Sequence, residues 1–234
     1  MVAILRRELK AYFASPIGYI FLAVFGVFAG LFFFATCLST QTANIGAVFS
    51  SMFTIVLFLI PILTMRLLSE DRKQKTDQAL LTAPISLFSL VMGKFLAALI
   101  LFTIALSVTL VMMLVLAALG SVDWSVFLAN FIGMLFLAAA MISIGMFISS
   151  LTENQVIAAV GGFAAMLSLW LFDGISSMLG SSVLQTILTS LSVSQRYSDF
   201  TRGLFDVSNV LFFLSIIAAF LFFTIRVFEK RRWS

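Results

Sequence analysis

The stretch from Leu67 to Pro84 reads LLSEDRKQKTDQALLTAP and is the only long polar run between apolar segments that could each cross a membrane. Its charged residues are Glu70, Asp71, Arg72, Lys73, Lys75 and Asp77, and Arg66 stands just before it. In a chain that is 62% hydrophobic and 10% charged, this concentration of charge indicates a function. We interpret the stretch as a short helix at the cytoplasmic membrane surface, presenting a mixed-charge face to a soluble partner. From composition alone, a solvated connector on the positive side of the membrane is an equal alternative.

The composition of the whole chain predicts an all-α integral membrane protein. Its 234 residues include 27 Phe, and a soluble globule of this composition could not keep its apolar side chains out of water. Crossing a bilayer takes roughly 20 mostly apolar helical residues. Six stretches meet this requirement, near 17–38, 47–65, 88–118, 127–149, 155–172 and 208–226. Because each is a continuous apolar run rather than an alternation of period two, we predict six transmembrane helices in a single domain, 1–234.

Residues 1–15 predict an amphipathic helix that lies along the membrane surface. Apolar residues recur there at helical spacing, and Arg6, Arg7 and Lys10 lie between them, where they would face anionic headgroups. Pro16 then ends the helix, and the chain turns into the membrane. A signal peptide is the alternative, but the apolar stretch 17–38 is longer than the roughly 7–15 residues of a signal-peptide core. We therefore expect the first span to be retained.

The distribution of cations predicts which way the chain is inserted. Twelve Lys and Arg residues fall on one side of the six predicted spans, and only Arg196 and Arg202 fall on the other. The twelve are Arg6, Arg7, Lys10, Arg66, Arg72, Lys73, Lys75, Lys94, Arg226, Lys230, Arg231 and Arg232. Because cytoplasmic loops carry the excess of Lys and Arg, both termini are expected in the cytoplasm.

Residues 174–206 are too polar and too interrupted to form another span. The fifth helix is expected to end at Trp170, and the segment is rich in Ser, with Gly174 and Gly180 as helix breaks. Apolar residues at helical spacing predict one or two short amphipathic helices, namely Ile175, Met178, Leu179, Leu184, Ile187, Leu188 and Leu191. We expect them in the external leaflet, as a re-entrant element or as a cap over a transport pathway.

Two short patterns near the membrane have a structural interpretation. Gly26 and Gly30 lie one helical turn apart in the first span, a spacing that lets another helix approach closely. Lys94 follows Gly93 in the first turns of the third span, and we expect its amine to extend to the cytoplasmic interface. The pair Gly93–Lys94 is not a phosphate-binding loop, because Phe88 stands where that motif requires its first glycine.

The residue types that are absent exclude several functions. The chain has no His and a single Cys, Cys37, so that we predict no metal site, no cofactor and no catalytic residue. All Asp and Glu lie in loops or at span ends, whereas proton or ion carriers usually place such groups inside their spans. The basic residues sit at span ends, which disfavours nucleic-acid binding. What remains is a pathway lined by Phe, Met, Leu, Ser and Thr, suited to a hydrophobic or amphipathic substrate and driven by another subunit.

The chain resembles the type-2 ABC exporter permeases along its whole length. The resemblance rests on residues 70–86, EDRKQKTDQALLTAPIS, on the Gly93-Lys94-Phe95 that follows, and on the order of the spans. The segments RRELKAYFASPIGY (6–19) and FTRGLFDVSNVLFFLS (200–215) are similar to the gliding-motility, GldF-like branch of that family.

This resemblance implies a permease that pairs with a second permease copy and with two separate ATPase subunits, which bind ATP and Mg²⁺. It further implies a bacterial inner-membrane location and an extracytoplasmic accessory protein that contacts 174–206. In that family the loop after the second span is a coupling helix that docks on the ATPase. Carried over, this element is residues 70–81, with Glu70, Asp71, Arg72, Lys73, Lys75, Asp77, Leu80 and Leu81. Glu153 and Asn154, in the loop 150–155, would make a minor contact.

Two other function classes stay open from the sequence. The chain could be a membrane anchor or scaffold subunit that recruits a cytoplasmic enzyme without transport, or a self-contained secondary carrier. An associated P-loop ATPase separates the exporter from the carrier, and substrate-dependent ATP hydrolysis separates it from the scaffold.

Overall fold

The computed structural model of the chain describes residues 1–73, 86–178 and 192–232, and all regular structure within these ranges is helical. The helices are α1 (Val2–Ala14), α2 (Pro16–Phe33) with a π-helical extension (Phe34–Leu38), α3 (Ile45–Thr64), α4 (Ser69–Lys73), α5 (Leu87–Leu106), α6 (Val108–Leu119), α7 (Trp124–Leu151), α8 (Gln155–Met178), α9 (Val193–Thr201) and α10 (Val207–Arg232).

Polar residues begin several of these helices by capping their free backbone N–H groups. The side chains of Asn44, Ser86, Asp123 and Ser192 accept hydrogen bonds from backbone amides in the first turns of α3, α5, α7 and α9, at 3.2, 3.2, 3.0 and 3.0 Å. Between α1 and α2, Ser15 is extended and Pro16 opens the next helix, as the sequence predicts. The starts of these helices are therefore determined by local residues, which can be identified in the sequence.

Five stretches of the described residues are long and apolar enough to cross a membrane: Pro16–Leu38, Ile45–Lys73, Leu87–Leu119, Trp124–Leu151 and Val207–Arg231. The protein is thus a multi-pass, all-helical membrane protein. The predicted span 155–172 lies in α8, whose apolar part, Gln155–Leu171, is at the short end of the roughly 17–25 residues that a span takes. The sixth span accordingly remains a prediction.

Helix α8 continues past the position where the sequence predicts its end. The helix was expected to stop at Trp170, with a break at Gly174, but its backbone is helical through Met178. A single glycine costs only about 1 kcal/mol relative to alanine in a helix, so that it weakens a helix without ending it. Residues 179–191, which hold most of the predicted external helices and Gly180, lie outside the described residues. The short helix α9, Val193–Thr201, falls within the predicted segment.

Helix α7 is the centre of the bundle. It packs against α3, α5, α8, α9 and α10. Its most apolar stretch is 67% buried, compared with 17% for α10, which lies at the periphery. Close packing on α7 depends on glycines: a Cβ atom at Gly145 would collide with the side chain of Thr64 in α3, and one at Gly133 would lie 2.6 Å from the ring and Cβ of Phe200 in α9.

Different loops and short helices lie at the two ends of the bundle. Helix α1, the turn after α3, α4 and residues 152–154 meet at one end, where Arg72 pairs with Glu153 and Arg231 of α10 donates to the carbonyl of Ser150. At the opposite end, Asn130 near the start of α7 donates to the carbonyl of Thr201, the last residue of α9. The predicted cytoplasmic elements therefore share one end, and which side of a membrane this end faces remains a prediction.

We expect Gly145→Ala to destabilise the protein, because the added methyl group would force α3 away from α7. Overpacking of this kind typically costs about 1–3 kcal/mol. Gly26→Ala is the matched control, since among the described residues a Cβ there meets nothing within 4 Å. Thermal unfolding in detergent should show a lower midpoint for Gly145→Ala and an unchanged or higher one for Gly26→Ala. Equal midpoints for the two variants would contradict the close approach of α3 and α7.

Candidate functional site

The first part of the predicted coupling element lies in α4, which follows α3 after a turn at residues 65–68. Helix α4 has only five residues and contacts the end of α7 and the beginning of α8. Glu70, Asp71, Arg72 and Lys73 are in this helix, whereas Lys75, Asp77, Leu80 and Leu81 lie outside the described residues. We call residues 65–73 the α3–α4 corner.

A serine from the central helix holds the backbone of the α3–α4 corner. The hydroxyl oxygen of Ser149, which is fully buried near the end of α7, accepts hydrogen bonds from the amides of Leu68 and Ser69 at 3.2 and 3.1 Å. The same hydroxyl donates to the carbonyl of Met65 at 3.1 Å. One side chain thus satisfies three backbone groups of a turn that leaves the helix, where such groups have no partner in the helix itself.

The charges of α4 pair with other charges of the same chain. Arg66 donates to both carboxylate oxygens of Glu70, at 2.5 and 2.9 Å. Arg72 donates to Glu153 at 2.9 Å, which joins the two predicted cytoplasmic loops. Lys73 alone among the charged residues of α4 is exposed. The predicted mixed-charge face, whose later residues lie outside the described ranges, remains a prediction.

Asp71 is directed into the bundle, where it meets a buried lysine. Its carboxylate lies 2.7 Å from the Nζ atom of Lys94 in α5, and Glu8 of α1 lies 3.0 Å from the same Nζ atom. The side chain of Lys94 is only 2% exposed, so the predicted extension of its amine to the membrane interface is wrong. Two carboxylates from two other helices neutralise the amine inside the protein, which the sequence around Lys94 does not show.

Helix α1 presents one continuous face to the bundle. Ile4, Glu8 and Tyr12 lie at i, i+4 and i+8, and Ile4 and Tyr12 are buried. The Tyr12 hydroxyl donates to the carbonyl of Leu63 near the end of α3 at 3.3 Å. Burial raises the pKa of Tyr12, so the phenol remains neutral and keeps this proton. Helix α1 therefore packs on α5 and α3 as part of the same end of the bundle.

The minor predicted contact, Glu153 and Asn154, lies beside α4. The side chain of Glu153 is 66% exposed even while it accepts from Arg72. The side-chain oxygen of Asn154 accepts from the amide of Val156 at 2.9 Å and so caps the start of α8. Glu153 therefore combines a contact to α4 with an accessible carboxylate, and Asn154 has a structural role.

Gly26 and Gly30 do not pack against another helix of the described chain. A Cβ atom built at either position meets nothing within 4 Å. The pair lies on a half-buried side of α2, beside the exposed residues Val27, Phe28 and Leu31. Their predicted role in helix packing therefore remains a prediction.

An apolar cavity of about 580 Å³ lies between α7, α8 and α10, with one wall formed by Val193 at the start of α9. Its lining is almost entirely hydrocarbon, with Ser168 as the one hydroxyl-bearing residue among Ile144, Phe147, Ile148, Ala165, Leu169, Phe212, Ile216 and Phe220. This size falls in the range of roughly 300–1,000 Å³ that is usual for ligand pockets.

Within the described residues, no group of three or more acidic, His or Cys side chains could hold a metal ion.

Sequence reasoning missed Glu8 and Ser149, and it assigned Lys94 to the wrong environment. Glu8 had a detectable signal, because a carboxylate stands between Ile4 and Tyr12 on one face of a helix. Ser149 had none, since one hydroxyl at the end of an apolar span resembles any other. The two carboxylates that pair with Lys94 lie 23 and 86 residues away in sequence, so local sequence patterns do not reveal them.

The comparison with known families supports the resemblance seen in the sequence. Residues 1–181 match the family model described as ABC-2 type transporter. This match covers α1 to α8, and thus includes the α3–α4 corner and the loop 152–154. No curated protein matches the chain.

We expect Ser149→Ala to loosen the α3–α4 corner, because the amides of Leu68 and Ser69 would lose their partner. A buried donor left without a partner costs about 1–3 kcal/mol. Ser143→Ala is the matched control: Ser143 is equally buried in α7, but its hydroxyl donates only to the carbonyl of Ala140 in the same helix. Hydrogen exchange of peptides covering 65–73 should be faster in Ser149→Ala alone. Unchanged exchange in Ser149→Ala would contradict the anchoring role.

Proposed function

The chain belongs to the ABC-2 type transporter family, and we propose that it is the transmembrane permease subunit of an ATP-driven exporter for a hydrophobic or amphipathic substrate. The observation that carries this proposal is the attachment of the α3–α4 corner to the rest of the bundle. Ser149 of α7, Lys94 of α5 and Glu153 before α8 all bind residues of the corner. A movement imposed on residues 70–81 would therefore be passed to several spans at once.

In the proposed mechanism, ATP binding closes two separate ATPase subunits and displaces the coupling elements of two permease copies. Because α4 follows α3 after a turn and is joined to α5 and α7 by short polar contacts, the displacement rocks each copy as a body rather than bending one loop. The binding site then alternates between inward-open and outward-open states. ATP and Mg²⁺ belong to the ATPase in this scheme, and this chain supplies no catalytic group.

The ATPase contact begins at Lys73. Glu70, Asp71 and Arg72 bind other residues of this chain, whereas Lys73 is exposed at the end of α4. We assign the docking surface to Lys73 and the following Lys75, Asp77, Leu80 and Leu81, with Glu153 as a second contact. Glu70, Asp71 and Arg72 would instead hold the element in position.

The apolar cavity between α7, α8 and α10 supports a hydrophobic or amphipathic substrate. No charged side chain among the described residues lines it, and the three helices around it are predicted to cross the membrane. Helix α10 covers the cavity from one side and is the least buried of the five candidate spans, so that small displacements of this helix would open the cavity to lipid. Export of an apolar substrate through such a site needs no ionisable group inside the spans.

The proposed complex contains two copies of this chain in a bacterial inner membrane, with both termini of each copy in the cytoplasm. Assignment to the gliding-motility, GldF-like branch adds an extracytoplasmic accessory protein, for which residues 174–206 are the proposed contact. The open face of Gly26 and Gly30 supports a helix contact between copies.

We expect the chain, purified in mild detergent from its native cell, to bring a P-loop ATPase with it. Lys73→Glu combined with Lys75→Glu should reduce the recovered ATPase about tenfold, because like charges placed across an interface are strongly unfavourable. Arg6→Glu combined with Lys10→Glu is the control with the same change in charge, on exposed positions of α1. A chain recovered without any ATPase would favour a secondary carrier, and a bound ATPase indifferent to substrate would favour a scaffold.

We expect Gly26→Leu combined with Gly30→Leu to lower the dimer fraction without destabilising the monomer, because a Cβ atom at either position meets none of the described residues within 4 Å. Val27→Leu, an exposed position of the same helix, is the control. Light scattering in detergent would measure the oligomeric state of both variants. A dimer that resists the double change would place the contact between copies on another helix.

A further inference from the structure

Lys94 contacts α1 as well as the α3–α4 corner, and the proposed transport mechanism does not use the contact with α1. Its amine is buried in the first half of α5, and it lies 3.0 Å from Glu8 of α1 and 2.7 Å from Asp71 of α4. The side chains of Glu8 and Asp71 are themselves only 13% and 17% exposed. Arg7 adds a second cation to the group, 2.8 Å from Glu8 and 3.7 Å from Asp71. We call these four residues the Lys94 cluster.

The residue before Lys94 explains how α1 comes close enough to take part. A Cβ atom at Gly93 would lie 3.0 Å from Cγ2 of Ile4 and 3.3 Å from the carbonyl of Met1, so α1 rests directly on this glycine. Glu8 stands one turn after Ile4 on the same face of α1 and is thereby placed at the amine. The dipeptide Gly93–Lys94 thus provides both the close contact and the charge.

We propose that Lys94 is the positioning residue of the coupling element: its buried amine ties the start of α4 to α1 and α5, so that the three helices move together when the ATPase acts on residues 70–81. This inference rests on the proposed function for its effect on ATP hydrolysis. The tie itself is a property of this chain alone, and it can be measured without a partner.

The energetics of the cluster make the tie strong and its loss easy to detect. Removing one member of a buried ion pair leaves an uncompensated charge and is strongly destabilising. Without the amine, the carboxylates of Glu8 and Asp71 would keep only the half-exposed Arg7 as a cation, and the two like charges would repel. Neutralising Glu8, Asp71 and Lys94 together avoids that repulsion, because buried ion pairs can often be replaced by neutral residues at little cost in stability. Only Arg7 then keeps its charge, and its side chain is half-exposed to solvent. The variant without the other three charges therefore separates folding from positioning.

Three variants of the full-length chain test the proposal. Lys94→Met alone leaves the two carboxylates without their cation. The triple variant Glu8→Gln, Asp71→Asn, Lys94→Met removes all three of these charges. The exchange variant Lys94→Glu, Asp71→Lys keeps one lysine between two carboxylates but moves it from α5 to α4. Each is purified with its associated ATPase, and thermal unfolding, hydrogen exchange of residues 69–73 and substrate-dependent ATP hydrolysis are measured.

We expect Lys94→Met to lower the unfolding temperature and the triple variant to restore it. In the triple variant, the amides of 69–73 should nevertheless exchange at least about tenfold faster, since the corner can open locally, while amides of α7 remain as in the wild type. Its ATP hydrolysis should no longer respond to substrate. The exchange variant should recover slow exchange and a substantial part of the response, because the ionic tie is rebuilt.

Two results would overturn the proposal. One is a triple variant with wild-type exchange at 69–73 and wild-type substrate response, which would reduce the cluster to a structural ion group. The other is an exchange variant no better than Lys94→Met on any of the three readouts. If the wild-type chain carries no ATPase, the proposed function fails instead, and hydrogen exchange in the chain alone still decides whether Lys94 positions α4.

Discussion

The cost of burying one ammonium group determines the arrangement of one end of this protein. Lys94 lies 2% exposed within the bundle, and an unpaired charge in such a place would be several kcal/mol unfavourable. Neutralisation comes from Glu8 and Asp71, which belong to different helices far apart in the chain. The N-terminal helix, the third apolar stretch and the start of the proposed coupling element must therefore meet at one point. Gly93 makes this possible by removing the side chain that would hold α1 away.

A second constraint acts on the backbone of the same region. The turn at residues 65–68 leaves α3 inside the protein, where its amides and carbonyls cannot turn to water. The hydroxyl of Ser149 replaces water there and connects the turn to the most buried helix of the bundle. The α3–α4 corner is consequently a part of the body of the permease. A loop attached only at its two ends would bend when a partner displaces it, whereas this corner would transmit the displacement to the spans.

The sequence predicts the parts of this architecture that depend on local composition. Apolar length marks the five candidate spans, the proline at position 16 marks the turn between α1 and α2, and cation placement groups the polar loops that meet at one end. The errors concern side chains whose environment is made by distant elements. The sequence around Lys94 is typical of a lysine at the membrane interface, but in the folded protein α1 covers this residue. Glycine often breaks a helix, but α8 continues through Gly174. Ser149 carries no signal, because its partners are backbone atoms.

A coupling element has to meet two opposing requirements, firm attachment to its own permease and a polar face for its partner. Charged residues can serve either requirement, but a largely buried side chain that is paired within the chain has few free groups left for a partner, unlike the exposed carboxylate of Glu153. The chain separates the two along its sequence. Glu70, Asp71 and Arg72 are directed to Arg66, Lys94 and Glu153, and exposed charge begins at Lys73. In this proposal, the residues that hold the element therefore precede those that offer the docking surface.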